Sequence, residues 1–204
     1  MQLTDKEIKE QGSQIKKEDT IFMKEGKLDI AKLESEGISS GSTKPFSYEY
    51  EVILDNGISI NISGNKKTGY GKYIKFNKDD DFKYGYSYFS SGELNGYGIE
   101  YINFFKKGVW YDYDIQGNIE KYKDYDASYD FSWENVLEFL EEKKINKKDV
   151  YQISRGIEDG EPKWYVEQTI ERALEPEKIN RYILDGKTGK VLKTAIIDVT
   201  RHLD

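Results

Sequence analysis

The sequence predicts an α+β protein, mostly antiparallel β, in which a Tyr/Gly-rich β-meander of short hairpins precedes a helix packed on a small antiparallel sheet. Three observations predict it. From Ser47 onward apolar and polar residues alternate with period two. Over 69–125 that alternation is broken repeatedly by Gly-containing turns. One stretch alone, 133–144, changes to the helical period. The aromatic content fits a folded sheet: 17 Tyr, 9 Phe and 3 Trp offset a hydrophobic share of only 37% and a charged share of 34%. Large rings bury enough area, and favour strands enough, to fold a chain that is otherwise as polar as many disordered ones.

Residues 1–44 form a polar N-terminal segment in which only 21–33 (IFMKEGKLDIAKL) has the apolar density to pack. Gly37, Gly41 and the serines at 39, 40 and 42 read as a loop ending at Pro45. Residues 45–126 form the antiparallel meander. Tyr48, Tyr50, Val52 and Leu54 alternate with Glu49 and Glu51, and Ile58, Ile60 and Ile62 alternate with Ser59, Asn61 and Ser63. Asn56-Gly57 between them is a strong hairpin signal, because both residues tolerate positive φ. Short Tyr-rich strands follow, with turns at 79–81 (DDD), 90–92 (SSG), 95–98 (NGYG) and 116–117 (QG). The phrases GYSYFSSG, from Gly85, and GVWYDYDIQG, from Gly108, make a degenerate repeat of the length of a stacked hairpin.

Residues 127–204 form the C-terminal unit. Ser132 suits an N-cap, and Trp133, Val136, Leu137 and Leu140 fall at i, i+3, i+4 and i+7, predicting a helix over 133–144. Phe131 stands where it can staple onto the first turn. Strands are expected over 150–154, 163–170, 181–186 and 190–199.

Composition narrows the function. The net charge is −7, so phosphate backbones and anionic lipid surfaces, which need a basic face, are not expected partners. An acidic surface instead associates fast with a basic partner, and it also keeps a protein soluble. The chain has no Cys and a single His, His202, the third residue from the end. That withdraws thiolate metal sites, disulfides and most His-based acid/base chemistry, so no enzyme and no cofactor is expected. No apolar run reaches the length of a membrane span, and the polar start shows no secretory signal. A cytoplasmic location fits, as does a periplasmic one if a lipoprotein leader preceded Met1.

Several motifs have simple structural readings. The string Gly186-Lys187-Thr188 lacks the earlier Gly of a phosphate-binding loop, because position 181 is Arg, and it joins strand to strand. Asp112, Asp114 and Gly117 resemble part of a calcium loop, but Gln116 stands at the fifth position and Lys123 at the closing one. Both read as tight turns. Paired carboxylates such as Asp112 and Asp114 are common among 38 acidic residues and need not form a hydrolytic dyad. The tyrosines at 84, 86, 88, 111 and 113 serve either a core or an exposed recognition face.

The phrase GVWYDYDIQGNIEKYKDYD (108–126) resembles the MORN-like repeat of YwqK-family antitoxins. The later segments FSWENVLEFL, WYV and YILDGKTGKVL are similar to the C-terminal unit of related bacterial proteins and to a PepSY-like ending. The resemblance spans about 70–203 and implies an immunity protein that binds a cognate bacterial toxin, and the acidic net charge implies a basic surface on that partner. It supplies no catalytic residue. The expected contacts are Asp79, Asp80 and Asp81 with the neighbouring Tyr84, Tyr86 and Tyr88. A structural or cell-envelope MORN-like protein without a toxin partner is the alternative, and a carboxylate-based hydrolase a third.

Overall fold

The computed structural model describes residues 4, 6–8, 10–11, 22–41, 46–102, 104–170 and 177–199, so Pro45, Pro176 and His202 lie outside the described residues. The chain divides into two compact units, Met1–Tyr125 and Asp126–Asp204. It is β-rich, and every strand pairing is antiparallel.

In the first unit β1 (Met23–Lys24) and β2 (Lys27–Leu28) form a two-stranded ribbon ahead of helix α1 (Ile30–Glu36). There follow β3 (Ile38–Ser40), β4 (Ser47–Ile53), β5 (Ser59–Asn65), β6 (Gly69–Lys75), β7 (Phe82–Tyr88), β8 (Leu94–Tyr101), β9 (Phe105–Tyr113) and β10 (Ile119–Asp124). These eight strands make one sheet in sequence order. The residues of β3 were expected in a loop. They pair instead as an edge strand, Ile38 opposite Glu49 and Ser40 opposite Ser47, because ladder pairing uses backbone groups and can override the turn preference of Ser.

Three of the hairpin turns share one design. Gly57, Gly92 and Gly117 take positive φ, and each donates its N–H to the carbonyl three residues back, on Leu54, Phe89 and Asp114. Asn56 does not share the positive φ expected of an Asn-Gly pair. Its side chain accepts a hydrogen bond from the Ile58 N–H at 3.2 Å, so the loop is one residue longer and only the Gly enters the left-handed region.

Period two sorts the sheet into two faces. The inner face carries Ile60, Ile62, Tyr70 and Tyr88, and Leu28 and Leu33 pack onto it from β2 and α1. Further along, Tyr97, Tyr111 and Tyr113 are covered by Ile8, a residue that the reading of the polar N-terminal segment did not single out. Leu33 and Ile62 are completely buried, each contributing about 1.5–3 kcal/mol. The outer face carries the Lys83–Glu100 ion pair at 3.1 Å and the Trp110 indole, whose N–H donates to the Ile99 carbonyl at 3.0 Å. That indole lies on the bare backbone of Gly98. A Cβ there would fall 2.1 Å from the ring.

The second unit contains α2 (Trp133–Glu142) and a sheet ordered β11 (Val150–Glu158), β12 (Glu161–Thr169), β13 (Lys178–Asp185) and β14 (Val191–Asp198). Ser132 caps α2 in a reciprocal capping box with Asn135, worth about 1 kcal/mol. The helix stops two residues short of the expected end because Lys144 adopts a φ of 56°. With Lys144 N–H on Glu141 O and Ile145 N–H on Leu140 O, this is a Schellman closure. Trp133 and Phe139 of α2 meet Trp164 and Tyr182 of the sheet at ring separations of 6.3 and 5.5 Å.

Gly98→Ala is expected to destabilise the first unit by about 1–3 kcal/mol, since the new methyl group must push the indole or the strand aside. Chemical denaturation followed by tryptophan fluorescence measures this, and Trp110→Ala in the same chain should recover part of the loss.

Candidate functional site

In the second unit, alternation along β12 puts Trp164 and Val166 under the helix and turns Tyr165 and Glu167 to the opposite face. That face forms a shallow concavity of about 630 Å³, lined among others by Tyr151, Gln152, Ser154, Tyr165, Arg181 and Ile197. At its centre Glu167, only 5% exposed, accepts from Arg181 Nε at 2.7 Å and Nη2 at 2.5 Å. A two-pronged bond of this kind holds both side chains in one orientation. Beside it Lys163 pairs with Glu158 at 2.6 Å, and Tyr165 also hydrogen-bonds that carboxylate. Burial, and then the Glu158 carboxylate, push the Tyr165 phenol up to about 12. The phenol therefore stays a neutral donor throughout the physiological range.

The first unit has a separate pocket of about 340 Å³ between the β1–β2 turn, the ends of β7 and β8 and the β9–β10 turn. Met23, Tyr88 and Leu94 give it an apolar lining, while Lys27, Glu93 and Gln116 add polar groups. Lys27 bonds Glu93 at 2.5 Å and the Ser91 hydroxyl also donates to it. Together they hold the Glu93 carboxyl down at about 2.

The residues singled out in the sequence are distributed as follows. Asp79, Asp80 and Asp81 form the β6–β7 turn, where Asp80 accepts from the Asn77 N–H at 2.9 Å. Asp79 is exposed, and Asp80 and Asp81 are half-buried. Tyr84, Tyr86 and Tyr88 point to the inner face: Tyr88 is 2% exposed, and Tyr84 and Tyr86 are half-buried against the second cluster of core tyrosines. Of the three, Tyr84 stands near the turn, with Phe76 against its ring at 5.2 Å. The Gly186-Lys187-Thr188 string is a β13–β14 turn tied by the Asp185 carboxylate to the N–H groups of Lys187 and Thr188. Asp114 ties the β9–β10 turn through Asn118 in the same way. Tyr165, Glu167 and Arg181 were not anticipated as a site. Their common face was legible in the alternation of KWYVEQT, but which face the helix would take was not.

No protein-family model, no curated protein and no solved structure matches the chain.

The inner-face tyrosines make a further electrostatic statement. Burial drives the phenols of Tyr97 and Tyr113 far above the ordinary value, and that of Tyr111 up as well. A raised folded pKa favours the folded state fully below the unfolded value of about 10, and this contribution is lost as pH rises through and beyond it. Among the 17 tyrosines, exposed phenols ionise first with the sheet intact, and a later phase of phenolate absorbance is expected in step with loss of the β circular-dichroism signal of the first unit. Full titration of every tyrosine with the sheet intact would contradict burial of these rings.

Proposed function

We propose that this chain is a non-catalytic binding protein of the immunity type, which neutralises a cognate bacterial toxin by direct contact. The observation that carries the reading is the open concave face of the second unit. It is broad and shallow, and it presents tyrosines around an arginine whose charge is already held by Glu167. Tyr and Arg anchors are characteristic of the few residues that dominate protein interfaces, since they bring large area at low rotamer cost. A charge pair satisfied within the monomer needs no new partner when water is excluded around it.

Two further features support the reading. The net charge of −7 favours fast encounter with a basic partner, and the turn that bears exposed Asp79 with half-buried Asp80 and Asp81 offers an acidic contact. The reading also draws on the resemblance of 108–126, which forms the antiparallel hairpin of β9 and β10, to the MORN-like repeat of antitoxins, and of the C-terminal unit to a PepSY-like ending. Those likenesses are to architecture, so the binding role rests on the surface.

Calorimetric titration against the product of the neighbouring large gene, as the candidate toxin, at low and high salt tests this. Nanomolar one-to-one binding that weakens with salt is expected. Tyr165→Ala should lower affinity by roughly 10- to 30-fold with little change of fold. Asp79→Asn, Asp80→Asn and Asp81→Asn combined should chiefly slow association. Absence of binding at both salts would overturn the toxin pairing and favour a structural cell-envelope protein. Binding untouched by Tyr165→Ala would remove the concave face from the interface.

A further inference from the structure

Met23 occupies an unusual position for a thioether. It lies on β1, half-buried, at the wall of the 340 Å³ pocket in the first unit. Its Sδ accepts from two hydrogen-bond donors, the Lys72 ammonium at 3.7 Å and the Tyr88 hydroxyl at 3.8 Å. Both donors come from the inner face of the sheet. Lys72 is completely buried, with its ammonium over the rings of Tyr86 and Tyr88 at 4.9 and 5.4 Å. A thioether sulfur is a weak acceptor, and a charged donor and a phenol both point at this one.

We propose that Met23 is a reversible oxidation site, at which Lys72 and Tyr88 receive the oxygen of the methionine sulfoxide. In the reaction a sulfur lone pair attacks one oxygen of hydrogen peroxide and the S–O bond forms as the O–O bond breaks. The departing hydroxide takes the proton from the transferred oxygen and leaves as water. Sulfur gives up two electrons, and peroxide is reduced. The pocket supplies the approach for so small an oxidant. Ordinary N–H···O and O–H···O bonds span about 2.5–3.2 Å, so an oxygen bonded to the sulfur and set to one side of the two contact lines, in the angle between them, comes within their reach.

Oxidation of a packed methionine ordinarily disrupts its surroundings, because a polar group replaces an apolar one. Here the polar group meets donors already aimed at it. Met23 also packs against the core beneath β2 and α1, so the modification acts where the N-terminal cover meets the sheet. The inference is independent of the toxin-binding reading.

The test uses the full chain, folded, with hydrogen peroxide as the probe. The sequence contains two methionines, Met1 and Met23, so peptide mass spectrometry assigns each added oxygen without ambiguity. The expected result is sulfoxide at Met23 in the folded protein, a Tm lowered by no more than about 2–4 °C, and reversal by methionine sulfoxide reductases. Tyr88→Phe keeps the ring and removes one donor. Its oxidised form should lose at least about 4 °C more than oxidised wild type, relative to each reduced form. Lys72→Leu provides the same comparison for the other donor should Tyr88→Phe fold poorly. Oxidation of Met23 only in denaturant would overturn the proposal, as would unfolding of the oxidised wild type or an equal Tm loss in the donor variants.

Discussion

The eight-stranded sheet of the first unit has two faces, and the apolar one must be kept from water. The inner face of this one is lined by aliphatic side chains and tyrosines, and the folded state of the first unit depends on covering it. Residues from the N-terminal third do so: Leu28 and Leu33 over the early strands, and Ile8 over the later ones. The cover is also fastened by backbone, since Leu28 N–H donates to Gly92 O at 2.9 Å. A segment whose composition is polar therefore contributes a few apolar residues at the places where the sheet requires them.

The preference for tyrosine over aliphatic residues shapes what that cover must contain. A buried phenol carries a hydroxyl that needs a partner. Tyr111 donates to Gln11 at 3.2 Å and Tyr88 to Met23, so the N-terminal residues supply acceptors as well as apolar area. The rings in turn create the electron-rich surroundings in which a fully buried Lys72 is tolerated. The aromatic wealth of the sequence is thus a polar constraint as much as a hydrophobic one.

The second unit solves the same geometric problem differently. One helix covers one face of a four-stranded sheet through Trp133, Val136, Phe139 and Leu140. The other face is left with the Glu167–Arg181 pair and its neighbouring tyrosines. Removing Arg181 would leave the buried Glu167 carboxylate without that partner, so the pair holds the surface around it in one arrangement. A surface with stiff, internally satisfied charge is suited to lie against another protein.

Much of this was open to reading in the residues themselves. Strand alternation, the Gly turns at 57, 92 and 117, and the Ser132-capped helix are local matters, set by propensity and by φ, which neighbouring residues decide among themselves. Residues 38–40 read as loop because an edge strand needs only a neighbour's backbone, and backbone pairing with β4 leaves no periodicity in so short and polar a stretch. The burial of Ile8, the fit of Trp110 onto Gly98 and the convergence of Lys72 and Tyr88 on Met23 join residues 49 to 65 positions apart in the last case. The sequence by itself determined the elements and their periodicity. Only the tertiary structure decided which face each element hides, because burial is a property of pairs of surfaces and not of single segments.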